Sequence, residues 1–152
     1  MSEKGVVPHS QDPGQQMQDL QRRMLPQNIP AEEAVLGGIL IYNEALNQVL
    51  NLIKHSDFYL DKHSWLFETM LELEKESEPV DVLSVANRLG IKDKERFDKI
   101  GGVAYLSTLA DRIPTAANIS YYAKIVREKS IVRQLIKVGT GIGTEAYDAV
   151  QG

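Results

Sequence analysis

The sequence contains no cysteine among its 152 residues. That absence excludes a disulfide framework, a zinc site with thiolate ligands and a cysteine nucleophile, and it is compatible with a reducing compartment. Apolar runs are short as well: none approaches the roughly 18 residues needed to span a bilayer, and the N-terminus lacks the apolar stretch of a signal peptide. We therefore expect no membrane partner.

Glycine-rich nucleotide motifs are missing too. No segment matches the Walker A pattern G-x-x-x-x-G-K-[ST], so this chain is not expected to bind ATP through a phosphate-binding loop or to be an enzyme. Gly141, Gly143 and Ala146 match the looser dinucleotide pattern G-x-G-x-x-[GA], but that motif requires a preceding strand, and a basic amphipathic segment precedes it here. Together with Gly139, these glycines predict a helix break or a flexible turn. We expect no cofactor in this chain.

Histidines and paired acids do not indicate a catalytic or metal centre. The three histidines lack the i, i+4 spacing of a helical metal site: His9, His55 and His63. We expect His63 to be a helix-terminal or half-buried packing residue, and residues 55–57 to form a turn between helices. Glu32 and Glu33 lie where solvated acids are expected. The sequence therefore predicts neither catalytic nor metal-ligating residues.

Charge is distributed unevenly along the chain. The total is -4, from 17 Lys and Arg against 21 Asp and Glu, which does not indicate a general nucleic-acid binder. Residues 1–25 are neutral overall, residues 26–114 carry nine bases and fifteen acids, and residues 115–138 carry five bases and one acid. The sequence therefore predicts an acidic body followed by a basic helix.

The apolar pattern predicts an all-α protein. Residues 1–25, rich in Gln, Gly and Pro, are expected to be a disordered tail. Residues 26–114 are expected to form a compact, multi-helix globular subdomain, because their apolar residues recur at helical spacing and no segment alternates over strand length. Pro30 followed by acids predicts the first helix, in which Gly37 and Gly38 indicate close approach of another helix.

Further helix boundaries follow from capping residues and glycines. Three polar residues are predicted to cap helices: Asn43, Asp61 and Asp81. The helix after Asp81 is expected to be short and to end at Gly90. Gly101 and Gly102 are expected to break the chain before another apolar helix.

The last segment begins with residues 115–138, which are predicted to form one long helix that ends at about Val138. At 1.5 Å per residue this helix is roughly 36 Å long, which is more than so small a body can cover. We therefore expect it either to fold back from Thr144 onward or to pack against another subunit. Its apolar stripe is the candidate protein-interaction surface: Ile119, Tyr122, Ile125, Val126, Val132, Leu135 and Ile136. Its basic residues either face nucleic acid or form the solvated side of the helix: Lys124, Arg127, Lys129, Arg133 and Lys137.

Several distinctive groups of residues follow one another along the chain. The first is LPQNIPAEEAVLG at 25–37, and it is followed by Asp57-Phe58-Tyr59 with His63 and Phe67. Next come Pro79-Val80-Asp81 and the GGVAYL run at 101–106. The last is PTAAN at 114–118, which leads into YAKIVREK at 122–129. Taken together over about residues 26–150, these groups and their order resemble the N-terminal domain of DnaB-type bacterial replicative helicases, and the combination is specific to that family.

This resemblance implies an all-helical domain whose residues 115–152 belong to a C-terminal helical hairpin used for oligomerisation. In that family the hairpins pair between subunits, and the domains assemble as a trimer of dimers that forms a collar on a hexameric ring. The collar binds a DnaG-type primase, and the ring interacts with loader proteins. Carried over by position, the expected primase contacts are Tyr105, Ile119 and Ile125.

The resemblance also implies a longer parent protein. The parent would unwind duplex DNA 5'-to-3', with ATP and Mg²⁺ bound in a RecA-like ATPase domain that this chain lacks, and single-stranded DNA would pass through its ring. Such a protein is expected in the bacterial cytoplasm, at replication forks of the nucleoid. Two alternatives are the helicase-binding domain of a DnaG-type primase and a small helical DNA-binding regulator. Residues 30–37 and 79–81 favour the helicase.

Overall fold

The computed structural model describes residue 14 and residues 25–112 and 116–151, and every regular element within them is helical. The all-α prediction is confirmed. These ranges contain seven α-helices: α1 Ile29–Ile41, α2 Ala45–Val49, α3 Asp61–Lys75, α4 Val82–Lys92, α5 Lys94–Ile100, α6 Gly102–Arg112 and α7 Ile119–Gln151. A 3-10 turn at His55–Asp57 lies between α2 and α3. The predicted disordered tail lies outside the described residues, apart from Gly14 and Leu25.

Helix α1 is the central element of the body. Asn28 caps it by accepting a hydrogen bond from the main-chain N–H of Ala31 at 3.0 Å, and Pro30 lies in its first turn. The helix packs against α6 and α7, so it is buried on nearly all sides. A Cβ atom on Gly38 would lie 3.2 Å from Ile119 Cδ1. The predicted close approach of another helix is therefore confirmed at Gly38.

The predicted caps are confirmed at one of three positions. Asp81 accepts a hydrogen bond from the Ser84 N–H at 2.8 Å, and the Ser84 hydroxyl accepts one from the Asp81 N–H at 2.9 Å. Asn43 does not cap α2, because its side-chain oxygen accepts a hydrogen bond from the Val80 N–H at 3.1 Å instead. Asp61 is the first residue of α3 and not its cap.

Among the described residues, glycine ends a helix where the backbone turns left-handed. Gly101 has φ +102° and ends α5, and α6 begins at Gly102, so the predicted break is confirmed. The prediction that Gly90 ends α4 is wrong, because the helix continues to Lys92. Asp93 follows directly and caps α5 by accepting a hydrogen bond from the Arg96 N–H at 3.1 Å.

Helix α7 is one continuous helix of 33 residues. The predicted end near Val138 and the predicted break at Gly139, Gly141 and Gly143 are both wrong. Apart from the helix's own backbone, no atom lies within 4 Å of where a Cβ would stand on any of these three glycines, so no other element packs against them. Residues 119–151 form a single helix, and the chain does not fold back from Thr144 within the described residues.

The body covers only the first half of α7. The buried residues of this helix are Ile119, Ala123, Val126, Ser130 and Arg133. Every described residue after Arg133 is exposed. The segment from Gln134 to Gln151, roughly 27 Å long at 1.5 Å per residue, therefore projects from the body as a free arm.

Candidate protein-interaction site

Glu32 and His63 form a buried polar pair where α1 and α3 meet. Glu32 Oε1 lies 2.8 Å from His63 Nδ1, and Glu32 Oε2 accepts a hydrogen bond from the Tyr59 N–H at 2.6 Å. The other ring nitrogen, His63 Nε2, lies 2.6 Å from the hydroxyl of Tyr105 on α6. His63 is in the first turn of α3, as expected, but it is fully buried. The prediction of a solvated Glu32 is wrong, because these donors compensate for its burial.

The spacing of the apolar residues that follow Glu32 indicates that this side chain is buried. Val35, Leu36 and Ile39 follow it by three, four and seven residues, and all three are fully buried. An acid on the apolar face of a helix must be paired or hydrogen-bonded. Its partner His63 lies 31 residues away, and no sequence pattern identifies that pairing.

Tyr105 connects this buried pair to the surface. The side chain is partly exposed, and its ring stacks on the His63 ring with centroids 6.0 Å apart and planes 15° apart. The Lys62 ammonium lies 3.9 Å from the centre of the Tyr105 ring. Burial, reinforced by the negative charge of Glu33, raises the pKa of Tyr105 to about 12. The hydroxyl therefore stays protonated near neutral pH and remains a hydrogen-bond donor.

Asp57 is a second buried junction, and it attaches α7 to the body. Its carboxylate accepts hydrogen bonds from the Lys54 N–H at 2.8 Å and from the Ser130 hydroxyl at 2.8 Å. Arg127 forms an ion pair with the same carboxylate at 3.3 Å. Residues 55–57 form the expected turn, but Asp57 is only 1% exposed. The sequence does not reveal this role, because the α7 partners of the Asp57 carboxylate lie 70 and 73 residues away.

The basic residues of α7 do not form one nucleic-acid-facing surface. Arg133 is buried, and it donates hydrogen bonds to the main-chain oxygens of Pro26 and Asp57, each at 2.8 Å. The assignment of Arg133 to such a surface is therefore corrected, and Arg127 is engaged with Asp57. Three lysines retain exposed or partly exposed side chains: Lys124, Lys129 and Lys137. Two of the five basic residues thus attach the helix to the body.

The predicted apolar stripe divides into three classes of residue. Ile119 and Val126 are buried in the core of their own chain. Tyr122 and Ile125 are partly buried and pack against that core. Val132, Leu135 and Ile136 are exposed. Only the last three, with the partly exposed Tyr122 and Ile125, are accessible to a partner in this conformation.

Helix α7 has two faces that the sequence analysis did not separate. The buried positions 119, 123, 126, 130 and 133 continue at the same helical spacing as polar residues: Lys137, Thr140, Thr144, Asp148 and Gln151. Large apolar side chains lie exposed on the opposite side of the helix, and we call these residues the outer face: Ile131, Val132, Leu135, Val138, Ile142 and Val150. The outer face therefore points away from the body.

The ranges 25–112 and 116–151 contain no group of His, Asp and Glu residues that could hold a metal ion. None of the helices in these ranges is both long and apolar enough to cross a membrane. The two buried acids are fully occupied by hydrogen-bond donors from the chain itself. The exposed features of the described residues include the surface around Tyr105 and the outer face of α7.

Comparison with known proteins places this arrangement in a family. The model of the DnaB-like helicase N-terminal domain matches residues 24–128. The chain belongs to this family. The DnaB-like chain is 44% identical over 125 residues to the replicative DNA helicase DnaB of Geobacillus stearothermophilus, an alignment that covers 82% of the chain and 27% of that protein. It therefore spans about a quarter of the length of this curated relative.

Solved structures agree with the fold of this DnaB-like domain. The N-terminal domain of DnaB helicase from Mycobacterium tuberculosis superimposes with a TM-score of 0.80 at 37% identity, covering 85% of this chain and 91% of that one. A DnaB-like replicative helicase, solved in a study of its interactions with primase, superimposes with a TM-score of 0.69 at 28% identity, covering 79% of this chain and 28% of that one. The all-helical architecture is thus shared with DnaB-type domains.

Proposed function

We propose that this DnaB-like domain is the N-terminal collar domain of a hexameric replicative DNA helicase, in which it joins subunits and binds a DnaG-type primase. The outer face of α7 carries the proposal. It consists of six large exposed apolar side chains, four of which lie on the arm that the body does not cover beyond Arg133. Contiguous apolar surface of this kind marks a protein–protein interface.

A second copy of the same helix is the partner that fits the outer face. A free helical arm gains no stability from its apolar face until that face is packed, because most helical stability in proteins comes from such packing. An isologous pairing of two α7 helices would bury both outer faces and leave both polar faces in solvent. The hairpin pairing of residues 115–152 and the trimer of dimers stay predictions built on this contact.

Primase binding is proposed from the solved DnaB-like helicase described with its primase interactions. Among the expected contacts, Tyr105 and Ile125 are partly exposed, so a partner can reach both. Ile119 is covered by α1, so we assign it to packing between α1 and α7 instead. The exposed surface around Tyr105 is therefore the first place to test primase contact.

The remaining activities belong to the proposed parent protein. We expect a RecA-like domain with ATP and Mg²⁺ to unwind DNA 5'-to-3', with single-stranded DNA in the ring and a loader as a further partner. We do not expect this domain to be an enzyme by itself. Cytoplasmic location at replication forks follows from the same proposal.

Neither alternative is favoured by an observation on this chain. The helicase-binding domain of a primase would not be expected to match the helicase family model over residues 24–128. A DNA-binding regulator should bind duplex DNA with a steep salt dependence. That is not expected of a helix whose Arg127 and Arg133 are occupied by the body.

The collar proposal predicts self-association that depends on the outer face. Leu135→Asp places a charge among apolar residues of the outer face and should weaken association at least tenfold. Thr140→Asp adds the same charge on the polar face and serves as the matched control. Sedimentation velocity across a wide concentration range measures the self-association of both variants and of the unsubstituted chain.

Equal association of Leu135→Asp and the parent chain would place the subunit contact elsewhere. If the unsubstituted chain stays monomeric and does not bind a DnaG-type primase at high micromolar concentration, the collar function itself is contradicted. Equal weakening by Leu135→Asp and Thr140→Asp would mean that any added acid on the arm disturbs association, and the outer face would lose its assigned role.

A further inference from the structure

The orientation of Tyr105 depends on the buried pair Glu32 and His63. The Glu32 carboxylate accepts hydrogen bonds from the N–H groups of Tyr59, at 2.6 Å, and Leu60, at 3.5 Å, so each of its oxygens already serves as an acceptor. His63 Nδ1, 2.8 Å from Glu32 Oε1, therefore carries a proton and donates it to the carboxylate. In the neutral imidazole the other nitrogen, Nε2, is then an acceptor.

The Tyr105 hydroxyl is the donor that completes this chain of hydrogen bonds. Its oxygen lies 2.6 Å from His63 Nε2. Within the described part of the chain, no buried side-chain nitrogen or oxygen lacks a hydrogen-bond partner, and this proton arrangement satisfies the whole chain from Glu32 to Tyr105. The hydroxyl of Tyr105 is therefore directed into the protein and is not presented to a partner.

The ring of Tyr105 is held as firmly as its hydroxyl. It stacks on His63, and Lys62 lies over its centre at 3.9 Å. A side chain that is already ordered loses little conformational entropy on binding, which amounts to about two- to tenfold in affinity for one side chain.

We propose that Glu32 and His63 are positioning residues of the primase-binding surface: they hold the Tyr105 hydroxyl inward, so that the partner meets the ring and not the hydroxyl. Only the identity of the partner rests on the proposed function. The consequence is that a change at the buried His63, which no partner can touch, alters binding at the surface. Removing the hydroxyl alone should have a similar effect, because it frees the ring.

The experiment compares His63→Gln, Tyr105→Phe and Tyr105→Ala with Val49→Ala, which trims a buried α2 side chain that has no part in these hydrogen bonds. The affinity of each full chain for a DnaG-type primase is measured by titration at a temperature where all are folded. We expect Tyr105→Ala to bind weakest. His63→Gln and Tyr105→Phe should each weaken binding about two- to tenfold. Val49→Ala should lower Tm without changing affinity.

Two results would overturn the positioning role. If Tyr105→Phe weakens binding while His63→Gln binds like the parent chain, the hydroxyl contacts primase directly. If both bind like the parent chain while Tyr105→Ala does not, the orientation of the ring has no effect on binding. A loss of affinity in Val49→Ala equal to that in His63→Gln would assign the effect to general destabilisation and would also count against the proposal.

A second measurement does not involve primase. The ¹⁵N chemical shifts of His63 report which ring nitrogen carries the proton, and we expect protonated Nδ1 and unprotonated Nε2. Flipping of the Tyr105 ring should be faster in His63→Gln. A proton on Nε2 alone, or unchanged flipping, would refute the hydrogen-bond chain. If these NMR results hold but Tyr105→Ala binds primase normally, the proposed function fails at this surface while the positioning of Tyr105 stands.

Discussion

Two buried carboxylates, Glu32 and Asp57, each accept from three hydrogen-bond donors. Glu32 connects α1 to the start of α3, and Asp57 connects the 55–57 turn to α7. A buried charge is costly unless it is paired, so these acids make specific contacts that apolar packing alone does not specify. The position of Glu32 on an apolar helix face could be recognised from sequence. The role of Asp57 could not, because its α7 partners are distant along the chain.

Asp57→Asn tests the contribution of this charge to stability. The amide keeps the shape of the side chain but weakens the hydrogen bond to Ser130 and removes the ion pair with Arg127. The free energy of unfolding should fall by about 1–3 kcal/mol, as measured by urea denaturation. Asp98→Asn removes an exposed partner of Lys94 and should cost less than about 0.5 kcal/mol. Similar losses in the two variants would contradict the junction at Asp57.

Helices were predicted from apolar spacing, and the errors concern where they end. Glycine stops a helix when the chain adopts a left-handed conformation, as at Gly101, and not by its presence alone. Gly90 and the three glycines of α7 stay within their helices and weaken them only through propensity. Which conformation a glycine takes depends on the residues around it in space, so its sequence position leaves both outcomes open.

Two glycine substitutions should change stability in opposite directions. Gly38→Ala gains helix propensity, but its Cβ would stand 3.2 Å from Ile119 Cδ1 in the packed contact between α1 and α7. Overpacking of this kind costs about 1–3 kcal/mol, so Tm should fall. Gly141→Ala meets no atom within 4 Å and should raise stability by about 0.5–1 kcal/mol. The Tm of both variants is measured by thermal unfolding, and a rise in Tm for Gly38→Ala would show that the Ile119 side chain moves aside for the added methyl group.

The whole molecule consists of a body and an arm with different sources of stability. The body has one apolar core that includes the inner face of α7 as far as Val126, followed by the polar attachment at Asp57 and Arg133. The uneven charge of the chain reflects this attachment, because two of the five bases in residues 115–138 are held by the acidic body. The arm beyond Arg133 contributes no buried residue.

Deletion of residues 135–152 tests the independence of body and arm. The truncated chain should unfold at nearly the same Tm as the monomeric parent chain, because no described residue in that segment is buried. It should also lose self-association. Val126→Ala is the comparison, since it trims a buried α7 side chain and should cost about 0.5–2 kcal/mol. A large loss of Tm on truncation would show that the arm supports the body.

The sequence by itself determined the helical class, the close approach at Gly38, the cap at Asp81 and the membership of a helicase domain family. The helical class and the cap depend on local spacing and local hydrogen bonds, which neighbouring residues specify, and a glycine inside an apolar helix indicates close approach without naming the partner. Only the tertiary structure decided that Glu32, Asp57 and Arg133 are buried, and that the apolar residues of α7 divide between an inner and an outer face. Burial depends on which distant segments meet, and a helical period reports that a face is apolar without reporting what covers it.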